Sequence, residues 1–186
     1  MTKGKITHGF CRAVSEREGL DFRKVLREFE RNNRKYLTGK MQGKEFFDSF
    51  AGKLGIKKDY DFYRGVLLRV GRSRGPVLGL ARKLKGYKTA VISDNYRELV
   101  DFIVGEYRLE EIFDVLVFSN ELGIKKPDKR IFLSALKRLR VRPQEAVFID
   151  DISRNVGAAR SLGMKAIYFQ GYESLKKKLA NIGIRT

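Results

Sequence analysis

With 186 residues, 42% of them hydrophobic, the chain has material for one compact domain, or one domain with a modest insertion. Its formal net charge is +18, from 40 Lys and Arg against 22 Asp and Glu, which raises the question of nucleic acid. The lone cysteine, Cys11, excludes an internal disulfide and reads as a buried structural thiol. The opening MTKGKITHGF lacks the apolar core of a signal peptide, and no apolar run approaches spanning length, so no membrane segment is read and a cytoplasmic protein is expected.

Residues 6–72 read as a helical module. His8–Glu18 and Phe22–Tyr36 carry apolar residues at three- and four-residue spacing. Phe46, Phe47, Phe50 and Leu54 continue that pattern after Gly39 and Gly43, and Tyr60–Val70 is a further helix. Phe46, Phe47, Phe50, Tyr60 and Tyr63 are expected to be core rather than pocket. After Gly75-Pro76 the character changes, and residues 76–186 read as a second unit. Val77–Lys85 is a predicted helix with Gly86 as its C-cap. Strands follow at Thr89–Ile92, Val115–Phe118, Ala146–Ile149 and Ala166–Phe169. Helices alternate with them over Arg97–Tyr107, Asp128–Leu139, Arg154–Leu162 and Glu173–Ile182. Strands alternating with helices of this length predict parallel βαβ units in a doubly wound α/β sheet. The continuous apolar strands predict a sheet covered on both faces.

In such sheets ligands gather beyond the carboxyl ends of the strands. Ser93 follows one strand, Lys126 lies in 119-SNELGIKKPDKRIF-132, and Asp150 and Asp151 follow another. Two adjacent carboxylates at the tip of an apolar strand repel each other, and burial makes each costlier; a bound cation resolves both problems. Hard Mg²⁺ takes one or two carboxylates together with substrate phosphate. An ammonium and a hydroxyl nearby would serve a phosphoryl group. Each piece alone has an ordinary reading: a turn serine, a solvated lysine before a helix start, an acidic loop or cap. Their order and spacing together are more specific.

The stretches 89-TAVISDN-95, 119-SNELGIKKPDKRIFLSAL-136 and 146-AVFIDDISRNVGAARSLGMKAI-167 resemble the second, third and fourth motifs of the haloacid dehalogenase-like (HAD) hydrolase superfamily. The resemblance implies a Rossmannoid core, with the preceding helices as a cap. It implies that Ser93 hydrogen-bonds the transferring phosphoryl group and that Lys126 stabilises its charge. It also implies that Asp150 and Asp151 hold Mg²⁺, that Asn155 steadies the loop, and that Asp94 and Asn95 lie near the substrate. The acidic pair favours the Mg²⁺-dependent phosphatase branch over the metal-independent dehalogenases. A small phosphorylated metabolite is the expected substrate.

The family's first motif, an Asp-x-Asp pair ending the first strand, has no counterpart here. Asp21, the earliest aspartate, reads as a helix start in 19-GLDFRKV-25. Without that central strand its two neighbours would stand roughly 9–10 Å apart, their backbone groups short of partners. Two readings follow. In the favoured one, the natural protein starts upstream of Met1, and this chain lacks one strand with its loop and is inactive by itself. In the other, it is a non-catalytic relative that keeps a phosphate and Mg²⁺ pocket and engages a nucleotide or RNA. Because Lys and Arg are spread along the whole chain, nucleic acid is not favoured as partner. A solvated basic surface is the expectation, and the 33% charged content suits a thermophile.

Overall fold

The structure, a computed structural model, describes residues 3–71 and 76–185. Two positions named above, Arg72 and Gly75 at the expected domain boundary, lie outside the described residues, as does Met1. The described chain forms two compact units. One gathers residues 3–71 with Asp94–Tyr107 and Phe118–Gly123; the other gathers 76–93, Arg108–Val117 and 124–185.

The first unit is helical: α1 (Lys3–Glu18), α2 (Phe22–Leu37), α3 (Gly43–Leu54), α4 (Tyr60–Gly71), α6 (Arg97–Tyr107) and the single turn α7 (Ser119–Leu122). Asp21 starts α2 as its N-cap, and its Oδ1 accepts the Lys24 N–H at 2.9 Å. The chain leaves α2 through Gly39 at φ +68, where a Cβ would collide with the Asn120 carbonyl oxygen, so glycine alone fits. The core is aromatic. Phe10, Phe29, Phe46, Phe47, Phe50 and Tyr63 are fully or almost fully buried, as is Cys11. Phe10 and Phe29 lie 5.0 Å apart between ring centroids, and Tyr36 stacks on Phe46 at 4.5 Å and on Tyr96 at 4.6 Å. Rings at these separations add to the area they bury.

Several polar groups inside this core are bridged to one another. The Tyr96 hydroxyl donates to Asn33 Oδ1 at 2.9 Å and meets Thr7 Oγ1 at 3.1 Å. Tyr36 and Tyr60 both donate to the Glu98 carboxylate, at 2.5 and 2.6 Å. Burial and the Glu98 charge push both phenols well above their ordinary pKa, so they stay protonated and keep donating.

The second unit carries α5 (Pro76–Lys83), β1 (Ala90–Ser93), most of β2 (Val115–Phe118), α8 (Lys129–Leu139), β3 (Val147–Asp150), α9 (Ser153–Arg160), β4 (Lys165–Tyr168) and α10 (Tyr172–Ala180). Among the described residues the strands pair as β1 with β2 and β3 with β4. The second pair is parallel, in a register that sets Val147 against Lys165 and Asp150 against Tyr168. α8 packs on β1, and α9 packs on β3 and β4. Phe132 meets Phe148 edge-on at 5.0 Å, while Leu80, Leu175 and Leu179 form a smaller apolar cluster with Val147, Ile167 and Phe169 at its border.

Two expectations change. α5 ends at Lys83, and Gly86 lies in the turn beyond it, at φ +91. The Leu84 N–H reaches back to the Ala81 carbonyl and the Tyr87 N–H to the Leu84 carbonyl, so the chain leaves the helix before Gly86. Nor are the strands covered on both faces throughout: Ile149 is 36% exposed and Tyr168 41%. An apolar run signals a preference for cover, but the cover received depends on what packs over the strand, which the run does not encode.

Candidate functional site

Within the second unit, the ends of β1 and β3 are tied together by one side chain. The Lys126 ammonium donates to the Ile92 carbonyl in β1 at 2.9 Å and to Asp150 Oδ2 at the end of β3 at 2.7 Å. Both partners are largely withdrawn from water, with side chains 12% and 6% exposed. The ammonium also lies 5.6 Å from the centre of the Phe148 ring. An ion pair this buried survives only if its remaining lone pairs and protons are engaged. Asp150 meets that condition: its Oδ1 accepts the Ile152 N–H at 2.8 Å and the Asn155 amide at 3.1 Å. A carboxylate offers about four lone-pair positions; these bonds fill three.

Asn155 stands at the start of α9 and is 1% exposed. Its Oδ1 is buried without a protein hydrogen-bond partner among the described residues. Its amide locks the Asp150 side chain so that Oδ2 faces Lys126. Lys126 itself is presented by the loop before α8, whose N-cap, Asp128, accepts the Arg130 N–H at 3.0 Å.

Lys126, Asp150 and Asn155 are therefore brought together directly. Ser93 is the last residue of β1, one position beyond the carbonyl that Lys126 holds. Asp151 is half-buried and immediately follows Asp150. Asp94 and Asn95 fall in the helical unit. Asn95 is buried, and its Oδ1 accepts the Tyr96 N–H at 3.2 Å, a local bond that shapes the entry to α6. The Ile92 carbonyl and the Ile152 N–H were not foreseen from sequence, because backbone groups carry no residue signature. In the helical unit, Phe46, Phe47, Phe50 and Tyr63 are core as expected, and half-buried Tyr60 packs against that core while also lining an open pocket beside Arg64, Arg97, Glu98, Asp101 and Phe102.

The donor chemistry at Asp150 and Asp151 suits a hard cation. No group of three or more His, Cys, Asp and Glu side chains is poised for a metal among the described residues. Two carboxylates nevertheless suffice for Mg²⁺, which completes its shell with water and phosphate oxygens.

A family model for haloacid dehalogenase-like hydrolases matches residues 2–163. Acyl-CoA dehydrogenase family member 10 of Mus musculus is 40% identical over 100 residues, which cover 52% of this chain and 9% of that protein. Phosphoglycolate phosphatase of Aquifex aeolicus is 32% identical over 100 residues, covering 53% of this chain and 47% of the relative. The chain thus spans less than half the length of either. A HAD family enzyme from Bacteroides thetaiotaomicron, solved in complex with magnesium and inorganic phosphate, superimposes with a TM-score of 0.75 at 18% identity, over 94% of this chain and 91% of that one. At that identity the likeness speaks for the fold.

Proposed function

This chain belongs to the haloacid dehalogenase-like hydrolase family, and from that premise we propose that its strand-end cluster is the phosphoryl site of a Mg²⁺-dependent phosphatase for small phosphorylated metabolites. The observation that carries the reading is Lys126, a buried ammonium fixed between β1 and the Asp150 carboxylate. A cation held in a site of low exposure acts strongly on charge that develops on a phosphoryl oxygen. The Ser93 hydroxyl donates to a second phosphoryl oxygen. Asn155 and the Ile152 N–H hold the Asp150 carboxylate in one orientation, so that Lys126 needs no rearrangement when substrate arrives. Asp150 and Asp151 would hold Mg²⁺, which when bound supplies electrostatic stabilisation of the phosphate. The phosphoglycolate phosphatase likeness supports a small anionic phosphoester as the substrate class.

No residue of this chain is assigned as the carboxylate nucleophile. Asp21 is committed to capping α2. Residues 1–186 by themselves are therefore expected to bind phosphate with Mg²⁺ while turning over phosphoesters slowly or not at all. The experiment is calorimetric titration of residues 1–186 with inorganic phosphate and MgCl₂, beside phosphate release from phosphoglycolate. The expected result is Mg²⁺-dependent phosphate binding, weakened at least tenfold in Lys126→Met and in Asp150→Asn, with negligible release. Binding that ignores both substitutions would sink the site. Rapid release abolished by Asp150→Asn would keep the site and overturn the missing nucleophile.

A further inference from the structure

The exposed face of α2 carries a stripe of positive charge that the phosphoryl site does not use. Arg23, Lys24, Arg27, Arg31, Arg34 and Lys35 are all exposed. At 3.6 residues per turn they fall within an arc of about 120° on the helix surface. Val25, Phe29 and Tyr36, which anchor α2 in the aromatic core, lie on the opposite side. Only two carboxylates of α2 compete, and both flank the arc. Glu28 pairs with Arg31 at 3.0 Å and Arg27 at 3.5 Å, and those arginines hold its carboxyl below the usual range. Glu30 borders the other edge. Six cations against two carboxylates on one helix face is a denser bias than the 40 against 22 of the whole chain.

We propose that this face of α2 docks on the phosphate backbone of duplex nucleic acid, without reading its sequence. A 16-residue helix is about 24 Å long, and a duplex presents roughly 14 phosphates over that length. The stripe thus meets several phosphates along one groove edge. Its chemistry argues against the other surfaces a basic helix can meet. An interfacial membrane helix buries an apolar face in the lipid, but the apolar side of α2 is committed to the core. A protein partner is anchored by aromatic or aliphatic side chains in pockets, and the arc holds none. Four of the six basic residues are arginines, whose planar guanidinium matches phosphate oxygens.

The test is fluorescence anisotropy of residues 1–186 on a labelled 20-base-pair duplex of mixed sequence, repeated from 50 to 200 mM KCl. With four phosphates engaged, affinity should fall about a hundredfold over that range. A variant with Arg23, Lys24, Arg34 and Lys35 changed to Gln leaves the Glu28 pairs intact and should bind at least tenfold more weakly. A control with Lys83, Lys137, Lys165 and Lys177 changed to Gln removes the same charge from the other unit and should lose less than threefold. Arg23→Lys with Arg34→Lys, which keeps charge, should retain binding and show that the face tolerates substitution. Equal losses in both quadruple variants would overturn the proposal, leaving overall charge as the cause. So would absence of salt-dependent binding, or tighter binding to phosphatidylserine vesicles than to the duplex.

Discussion

Phe29 in the helical unit has four aromatic neighbours, Phe10, Phe46, Phe50 and Tyr96, at centroid distances of 5.0 to 6.1 Å. Lys126 in the α/β unit is fixed by one carbonyl and one carboxylate, at 2.9 and 2.7 Å. The first environment is many weak contacts whose sum is large, each replaceable by a neighbour of similar shape. The second is a few directional bonds, where loss of one group leaves the others buried and unmatched. Chemistry needs the second kind, because a reacting group must meet a charge at a defined point. Apolar packing gives stability but no such point.

Breaking the first environment should have the largest effect. Phe29→Ala empties the centre of the ring cluster and is expected to lower stability by about 3–5 kcal/mol, read as a drop in the urea midpoint by circular dichroism. A loss under 1 kcal/mol would mean the cluster relaxes into the space and that Phe29 is not its keystone. Lys126→Met keeps the aliphatic stem and removes the charge. Asp150 retains two donors in that variant but is left as a buried, unpaired charge, so the cost should be about 3 kcal/mol, at the low end of the range for Phe29. If the lysine variant proves the more damaging of the two, the ion pair, and not only the packing, holds the α/β unit.

Asp21 shows what the sequence makes legible: a carboxylate before a helix-period segment, found as a cap with its Oδ1 on the Lys24 N–H. Phe46, Phe47 and Phe50 are similar, since their spacing alone places them on one buried face. Lys126, Asp150 and Asn155 were legible as a set by family resemblance, and Lys126 and Asp150 also by position at strand ends. Their mutual bonds were not, because the Ile92 carbonyl that helps to fix Lys126 is backbone. Glu98 gave no signal either. It reads as an ordinary helix-surface residue, yet it receives hydroxyls from Tyr36, 62 positions away, and Tyr60, 38 away. Such pairings depend on how the helices stack, and local pattern is silent about that. The stripe on α2 lay in plain view, but one-dimensional spread disguised it; only the helical projection gathers its six cations.

A smaller effect is expected at a hydroxyl inside the aromatic core. Tyr63 is 1% exposed, and its hydroxyl is buried without a hydrogen-bond partner. Burial, with lesser contributions from Glu18 and Asp59, pushes its pKa up to about 12. A buried orphan hydroxyl costs stability, and replacing it with hydrogen keeps the ring. Tyr63→Phe should therefore be as stable as the parent or more so, by up to about 1 kcal/mol at pH 7.5. The sign of the pH effect is also fixed. The folded chain holds this proton more tightly than the unfolded one, whose phenol titrates near pH 10. The contribution of Tyr63 is thus complete below pH 10 and is lost as pH rises from there towards 12, because the unfolded state alone releases its proton. The phenylalanine variant has no such proton, so its advantage should widen between pH 10 and 11 in paired urea titrations. A variant less stable at pH 7.5 would show that the hydroxyl does find a partner and adds to the directional bonds that Tyr36 and Tyr96 already make in this core.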